Sequence, residues 1–238
     1  MISIIIPAYN EENNLPNLLD SILTLGKRKG MDFEIIVVND NSSDNTREIS
    51  EKYSKKHKNI RTINREKGDN GMGFALIEGS KKAKGDIIAW VMGDASDDLR
   101  TVPKFIEKIN DGFDVVFGSR YMKGGSSGDL EFSKRLASNG FSFLSKLFIG
   151  VKVHDITNAF RAFRKDVFVK IELRSGDFGI SPEFALKAHL NGFKLGEVPT
   201  TYKCRESGVA KFKMFKMSRR YFSIFSRAFL MRCFKIFS

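Results

Sequence analysis

Histidine is nearly absent from this chain. The 238 residues contain three, at His57, His154 and His189, scattered without a partner pattern. That excludes Ser-His-Asp and Cys-His nucleophilic chemistry and any histidine-based zinc spacing. Cysteine is scarcer still. Cys204 and Cys233 lie far outside metal-like or redox-like spacings, and they read as free thiols of a reducing compartment. The Walker-type phosphate loop and the dinucleotide glycine fingerprint are both missing, and Gly71-Met72-Gly73 falls short of either. No apolar run reaches the roughly 20 uninterrupted residues of a spanning helix. There is no low-complexity tract and no clear internal repeat. The first apolar run has no basic region before it and is cut short by Pro7, so it is expected to be a first strand rather than a signal peptide.

What is present is a globular composition, 42% hydrophobic and 29% charged, long enough for one sizeable core. The first half alternates β-rich runs (2–6, 33–38, 60–63, 87–92) with helical spacings (10–25, 44–53, 71–84). That order predicts a mostly parallel, Rossmann-like α/β sheet covered by helices. Such sheets bind ligands beyond the carboxyl ends of their strands. The polar clusters fall there: Pro7 to Glu11, Asn39 to Ser42, and Asp94-Ala95-Ser96-Asp97-Asp98. The second half is less regular. Helices are expected at 102–109, 134–148 and 182–190, strands at 114–117, 160–163 and 194–202, and loops at 118–128 and 207–210.

Three carboxylates leaving a buried strand are costly unless something positive meets them, and a hard divalent cation carrying phosphate oxygens suits them. Asp94, nearest the strand, is the better ligand. Asp97 or Asp98 alternatively caps the helix that follows. Asp40 either forms an Asx-turn or accepts hydrogen bonds from a base or ribose, and its position beside Pro7-Ala8-Tyr9 favours the nucleotide. Arg120 and Arg135 suit phosphate through bidentate guanidinium pairing, although either could be surface arginine. Asp155 is expected to satisfy the backbone of a turn.

The formal net charge is +12, concentrated at the end of the chain. From Lys203 onward ten basic residues face a single acid, Glu206. In the tail, Lys213, Lys216, Arg220, Ser223 and Arg227 form one stripe. Met214, Met217, Tyr221, Phe225 and Ala228 form an apolar face, widened by Phe222 and Phe229. This predicts a basic amphipathic helix lying in a membrane surface, with packing on the protein's own core or on a partner as the alternative. The apolar spacing argues against nucleic acid as partner.

Together these segments resemble family 2 glycosyltransferases of the GT-A fold. The nearest likeness is to polyprenyl-phosphate hexosyltransferases of the dolichol-phosphate mannose synthase type. It runs from Ile2 to about Lys213 on ordered motifs: Ile6-Pro7-Ala8-Tyr9-Asn10-Glu11, Val37 to Thr46, Gly71-Met72-Gly73 with Gly79, the acidic cluster, Gly118-Ser119-Arg120-Tyr121, Asp155 to Phe163, Glu197-Val198-Pro199, and Arg205 to Phe212. The resemblance implies a glycosyltransferase domain over 1–212, with a nucleotide-sugar half (1–115) and an acceptor half (116–212), followed by the tail (213–238). It implies that Pro7, Tyr9, Glu11, Asp40, Asp94 and Ala95 hold the nucleotide. Asp94, with Ser96 and Asp97, would hold Mg²⁺ or Mn²⁺. Arg120 and Arg135 would hold the acceptor phosphate, and Arg205 and Lys211 the donor diphosphate. Asp94, Arg120 and Arg205 would carry catalysis.

The implied reaction moves a hexose, with inversion, from a GDP-mannose or UDP-glucose type donor to a polyprenyl phosphate at the cytoplasmic membrane face. Transfer to a glycan hydroxyl, with Glu183 as base, and a non-catalytic basic binding protein are the alternatives. Oligomeric state stays open. Three departures stand out: Asn39-Asp40 replaces a pair of aspartates, Ser96 occupies the second position of the Asp-x-Asp motif, and the tail lacks the spanning helices that many relatives carry.

Overall fold

The alternating strand and helix signals assemble into one seven-stranded sheet. A computed structural model describes residues 1–66, 68, 70–203 and 214–237, the side chains of 214–216 and 235–237 excepted. In chain order the elements are β1 (Ile2–Ala8), α1 (Leu15–Lys29), β2 (Phe33–Asn39), α2 (Thr46–Lys56), β3 (Ile60–Asn64), α3 (Met72–Lys82) and β4 (Ile87–Trp90). A 3₁₀ turn (Leu99–Thr101) leads into α4 (Val102–Asn110) and β5 (Val115–Ser119). Then follow α5 (Phe132–Ile149), β6 (Arg161–Arg164), α6 (Lys165–Lys170), α7 (Ile180–Leu190), β7 (Leu195–Pro199) and α8 (Met214–Phe237). Strand order is β3-β2-β1-β4-β6-β5-β7. Pairing is parallel except around β6, which runs antiparallel to both β4 and β5. The mostly parallel helix-flanked sheet is the one the sequence predicts.

Strand alternation sends neighbouring residues to opposite faces. Ile4, Ile6, Ile35 and Val37 pack with Leu15, Leu19 and Ile22 of α1 and Phe105 of α4. Ile5, Ile36, Val38 and Trp90 pack on the other face with Leu76 of α3 and Ile180 and Phe184 of α7. Trp90 makes edge contacts with Phe163 and Phe184, both at 5.2 Å, and its ring N–H donates to Ser80 Oγ at 3.0 Å. The strands thus form a rigid floor whose carboxyl ends open on one cleft.

Several boundaries shift for local reasons. Helix α1 begins at Leu15 rather than Asn10, because Asn10 sits at φ 54° and turns the chain before the helix starts. Strand β4 ends at Trp90 rather than Met92, where the Met92 N–H donates to the Asp97 carboxylate at 2.8 Å instead of to a neighbouring strand. Strand β7 stops at Pro199, where its ladder with β5 ends. Helix α6 is too short for periodicity to reveal.

Helix α8 corrects the tail reading in part. The face that the spacing assigned to a membrane (Met217, Tyr221, Phe225, Ala228) packs inward. Met217 and Ala228 are buried, and Tyr221 and Phe225 lie 5.1 and 6.1 Å from the Phe141 ring of α5. Burying these side chains on the protein's own core removes apolar area from water without a second phase. The apolar residues left outside are Phe222, Phe229, Leu230, Met231 and Phe234.

Candidate active site

The loops after β1, β2 and β4 meet at the mouth of a cleft of about 590 Å³. Each loop contains one non-glycine residue in the left-handed region: Asn10 (φ 54°), Asn41 (φ 59°) and Ala95 (φ 57°). Asparagine tolerates that conformation and alanine does so at a cost, so the last turn is held by its neighbours. The first two loops are stitched together. The Asn10 N–H donates to Ser42 Oγ at 3.0 Å, the Ser43 N–H to Asn10 Oδ1 at 2.8 Å, and the Glu11 N–H to Thr46 Oγ1 at 2.8 Å. Asp44, which precedes the N-cap Asn45, accepts from the Thr46 N–H at 3.0 Å and from the Glu12 N–H at 3.1 Å, and so ties the start of α2 to the first loop. Those hydrogen bonds hold its carboxyl below the usual carboxylate range although burial opposes them.

Pro7, Tyr9, Glu11 and Asp40 all line the cleft. Asp40 is nearly buried, accepts from Gly71 N–H at 2.6 Å, and pairs with the Arg65 guanidinium, which lies over the Phe74 ring. Asn39 donates to Asn64 Oδ1 at 3.1 Å and so joins β2 to β3. The start of α3 offers no open phosphate cradle. Gly73 and Phe74 N–H both donate to Gly176 O, and a Cβ on Gly73 would lie 2.2 Å from Ser175 O.

The acidic turn is asymmetric. Asp94, Ser96 and Asp97 line the cleft, and Ala95 shapes the turn without lining it. Asp94 Oδ1 accepts from the Ser96 N–H at 3.1 Å. Asp97 accepts from Met92 N–H, and its carboxyl is pushed up to about 8, chiefly by burial and further by the charges of Asp94 and Asp98. Asp98 turns away. It caps the 3₁₀ turn through Arg100 N–H at 3.2 Å and pairs with the Arg100 guanidinium at 2.8 and 2.9 Å. Among the described residues no three acidic, histidine or cysteine side chains form a closed cation cage.

Arg120 enters the same cleft from the loop after β5, and its charge acts on Asp97. Its guanidinium holds Asp155 bidentately, at 2.7 and 3.0 Å, and reaches Thr157 Oγ1 at 3.2 Å and Ser138 Oγ at 3.4 Å. Burial opposes the Arg120 charge, and Asp155 outweighs it and pushes its pKa up. Asp155 therefore does more than satisfy a turn, although it also accepts from Asn158 N–H at 3.2 Å. Beneath this pair lies Arg161, wholly buried. It donates to Ala159 O (3.3 Å), Ser181 O (2.9 Å), Ile156 O (3.4 Å) and Asn158 O, and stacks on Phe117 at 4.7 Å. Burial pulls it down to about 9, so it is charged at neutral pH.

Arg135 is not among the cleft residues. It is exposed on α5 with its guanidinium 5.3 Å from the Phe132 ring centroid. Lys134 lines the cleft instead, because one helical residue rotates the side chain by about 100°. Glu183 is also outside the cleft. Its carboxylate accepts from Arg174 N–H (3.1 Å), Ser175 N–H (2.7 Å) and Lys187 Nζ (2.7 Å), and these hydrogen bonds lower its pKa against the opposing effect of burial. Arg205 and Lys211, and the 207–210 loop, lie outside the described residues. Sequence reasoning missed Ser138, Asn158, Tyr202 and, from α8, Ser218 and Tyr221 as cleft residues. The only available signal was Tyr221's place on the apolar stripe of the tail.

The model of the family described as "Glycosyl transferase family 2" matches residues 3–172. A dolichol-phosphate mannosyltransferase of Pyrococcus furiosus is 35% identical over 215 residues, covering 89% of this chain and 59% of the relative. This chain thus spans less than two thirds of that relative's length. A polyprenol monophosphomannose synthase of Mycolicibacterium smegmatis is 28% identical over 214 residues, covering 87% of this chain and 79% of the relative. Among solved structures, glucosyl-3-phosphoglycerate synthase of Mycobacterium tuberculosis, bound to Mn²⁺, UDP and phosphoglyceric acid, superposes with a TM-score of 0.72. That match has 16% identity and covers 98% of this chain and 78% of the other. The same enzyme is also solved with Mg²⁺ and UDP. At that identity the likeness speaks to the fold, which is GT-A.

Proposed function

The chain belongs to glycosyl transferase family 2, and from that premise we propose that it is an inverting, metal-dependent hexosyltransferase acting on a polyprenyl phosphate. The observation that carries this reading is one cleft lined by both acids and cations. Asp94 and Asp97 line it from the turn after β4, Arg120 from the loop after β5 and Lys134 from α5. A nucleotide sugar would enter by Pro7, Tyr9, Glu11 and Asp40, and a phosphate acceptor would meet Arg120. The names of the two curated relatives support the lipid-phosphate acceptor and the mannosyl donor class.

The acidic turn fits a divalent cation. It offers two hard carboxylates, each oriented by a backbone N–H; the Asp97 carboxyl is raised chiefly by burial, and the charges of Asp94 and Asp98 add to it. Mg²⁺ commonly takes one or two carboxylates and completes its shell with water and phosphate oxygens. A bound cation would supply Lewis-acid neutralisation of the departing nucleoside diphosphate. With Ser96 contributing no carboxylate, Asp94 and Asp97 are the carboxylate pair that lines the cleft.

The acceptor nucleophile needs no base, since a phosphate monoester is already anionic at neutral pH. Catalysis then rests on orientation and charge. Arg120, fixed by Asp155, would hold the acceptor phosphate in line with the sugar. Transfer to a glycan hydroxyl is disfavoured because Glu183, its base, is spent on Arg174, Ser175 and Lys187.

The outer surface supports a membrane-bound acceptor. Phe132, Leu136, Phe143, Leu144 and Leu147 of α5 join Phe222, Phe229, Leu230, Met231 and Phe234 of α8 as exposed apolar side chains. Arg219, Arg220 and Arg227 add positive charge. Among the described residues no helix is long and apolar enough to cross a membrane. We place the enzyme peripherally, on the cytoplasmic face.

The test is turnover with Mg²⁺ or Mn²⁺, pairing GDP-mannose, UDP-glucose and UDP-N-acetylglucosamine with farnesyl phosphate or an oligosaccharide. One donor is expected to yield a lipid-linked sugar, and EDTA is expected to abolish it. Product on the oligosaccharide alone would overturn the acceptor assignment. No product from any pair would overturn the enzymatic reading.

A further inference from the structure

Helix α8 enters the sequence reading only as a tail, yet three of its residues line the cleft: Met217, Ser218 and Tyr221. Of these, Tyr221 brings a phenol hydroxyl to the cleft that also holds Arg120. Its ring is anchored on Phe141 of α5 at 5.1 Å. Its charged neighbours are Arg120, Asp177, Arg161 and Asp155, and Tyr221 is in turn among the groups that act on Arg120. Phe141 stands about one helical turn from Ser138, whose Oγ lies 3.4 Å from Arg120 Nη2. Burial pushes the phenol well up, so the hydroxyl stays protonated and can donate.

The donors around it are unevenly spent. Arg120 commits Nε and Nη2 to Asp155, Thr157 and Ser138, and its Nη1 makes no hydrogen bond among the described residues. The Tyr221 hydroxyl likewise has no hydrogen-bond partner among them. A half-buried hydroxyl facing a cleft without a protein partner is costly unless water or a ligand takes the bond.

We infer that Tyr221 is a further acceptor-binding residue, donating its hydroxyl to the same phosphate that Arg120 receives through Nη1. This rests on the acceptor being a phosphate monoester, as proposed above. It also gives α8 two faces with linked work. The inner face supplies the hydroxyl, while the outer face carries Phe222, Phe229 and Phe234, so the helix nearest the lipid would also contact its headgroup.

The test compares Tyr221→Phe with the wild type, using farnesyl phosphate and the donor that turns over. The ring and its contact with Phe141 are kept, so an unchanged thermal midpoint is expected. The KM for farnesyl phosphate should rise about ten- to a hundredfold, the size of one lost hydrogen bond to a charged group, while the KM for the donor stays within about twofold. Direct binding of farnesyl phosphate, followed by thermal shift, should weaken in parallel. If the wild type shows no saturable farnesyl phosphate binding, the acceptor reading itself fails. If the wild type binds and Tyr221→Phe binds equally well, or if the donor KM rises instead, that reading stands and the role given to Tyr221 is wrong.

Discussion

Asp94, Asp97 and Asp98 are near neighbours in sequence with unlike surroundings. Asp94 and Asp97 face the cleft, whereas Asp98 is spent on Arg100 and the start of the 3₁₀ turn. Asp94→Ala is expected to abolish transfer while the thermal midpoint stays close to wild type. Asp98→Ala should leave transfer near wild type and cost about 1 kcal/mol of stability, the usual worth of an N-cap. Equal loss of turnover in both variants, with folding unchanged, would contradict this division. The division was partly legible, because Asp98 stands at capping distance before Val102-Pro103. The sequence left Asp97 between metal ligand and cap, and its contact with the strand end was not legible. It depends on the left-handed turn at Ala95, which folds the carboxylate back onto Met92 N–H. Arg161 was not legible either. Its sequence context is a short strand, and only packing shows a guanidinium closed in by carbonyls and aromatic faces.

Among the elements, α7 and the segment before it depend on Glu183. Its carboxylate ties Arg174 and Ser175 N–H to Lys187, and so seats the 174–177 segment, whose Gly176 carbonyl receives the first amides of α3. The carboxyl is depressed in the folded state. The unfolded chain therefore takes up the proton first as pH falls. The stabilisation is fully present above the ordinary glutamate value of about 4.3 and is lost as pH drops through the lower folded value. Glu183→Gln should lower the unfolding midpoint at pH 7 by the equivalent of about 1–3 kcal/mol and flatten its decline in the acid range. A folded Glu183→Gln enzyme should still transfer sugar. Loss of transfer with the fold intact would restore the hydroxyl-acceptor alternative. Most elements were legible from periodicity, but the end of β4 and the existence of α6 were not. One was set by a distant carboxylate, and the other is too short to show a period.

At the scale of the whole molecule, α5 and α8 form one surface. Their inner faces meet through Phe141, Phe148, Tyr221 and Phe225, and their outer faces leave large apolar residues in water, Phe222 and Phe234 each 72% exposed. Contiguous exposed apolar surface of this kind marks an interaction site. Replacing Phe222 and Phe234 together by Asp should sharply reduce co-sedimentation with anionic vesicles without lowering the thermal midpoint. Undiminished vesicle binding would assign the membrane contact to another part of the chain. Period, composition and chain order are enough to specify the mostly parallel sheet, the strand-end clustering of acids and the basic character of the tail. Tertiary structure decided which face of α8 turns inward, that Lys134 rather than Arg135 reaches the cleft, and that Glu183 is spent on structure. Each of those outcomes depends on what a side chain meets from elements far away in sequence, and no local pattern records that.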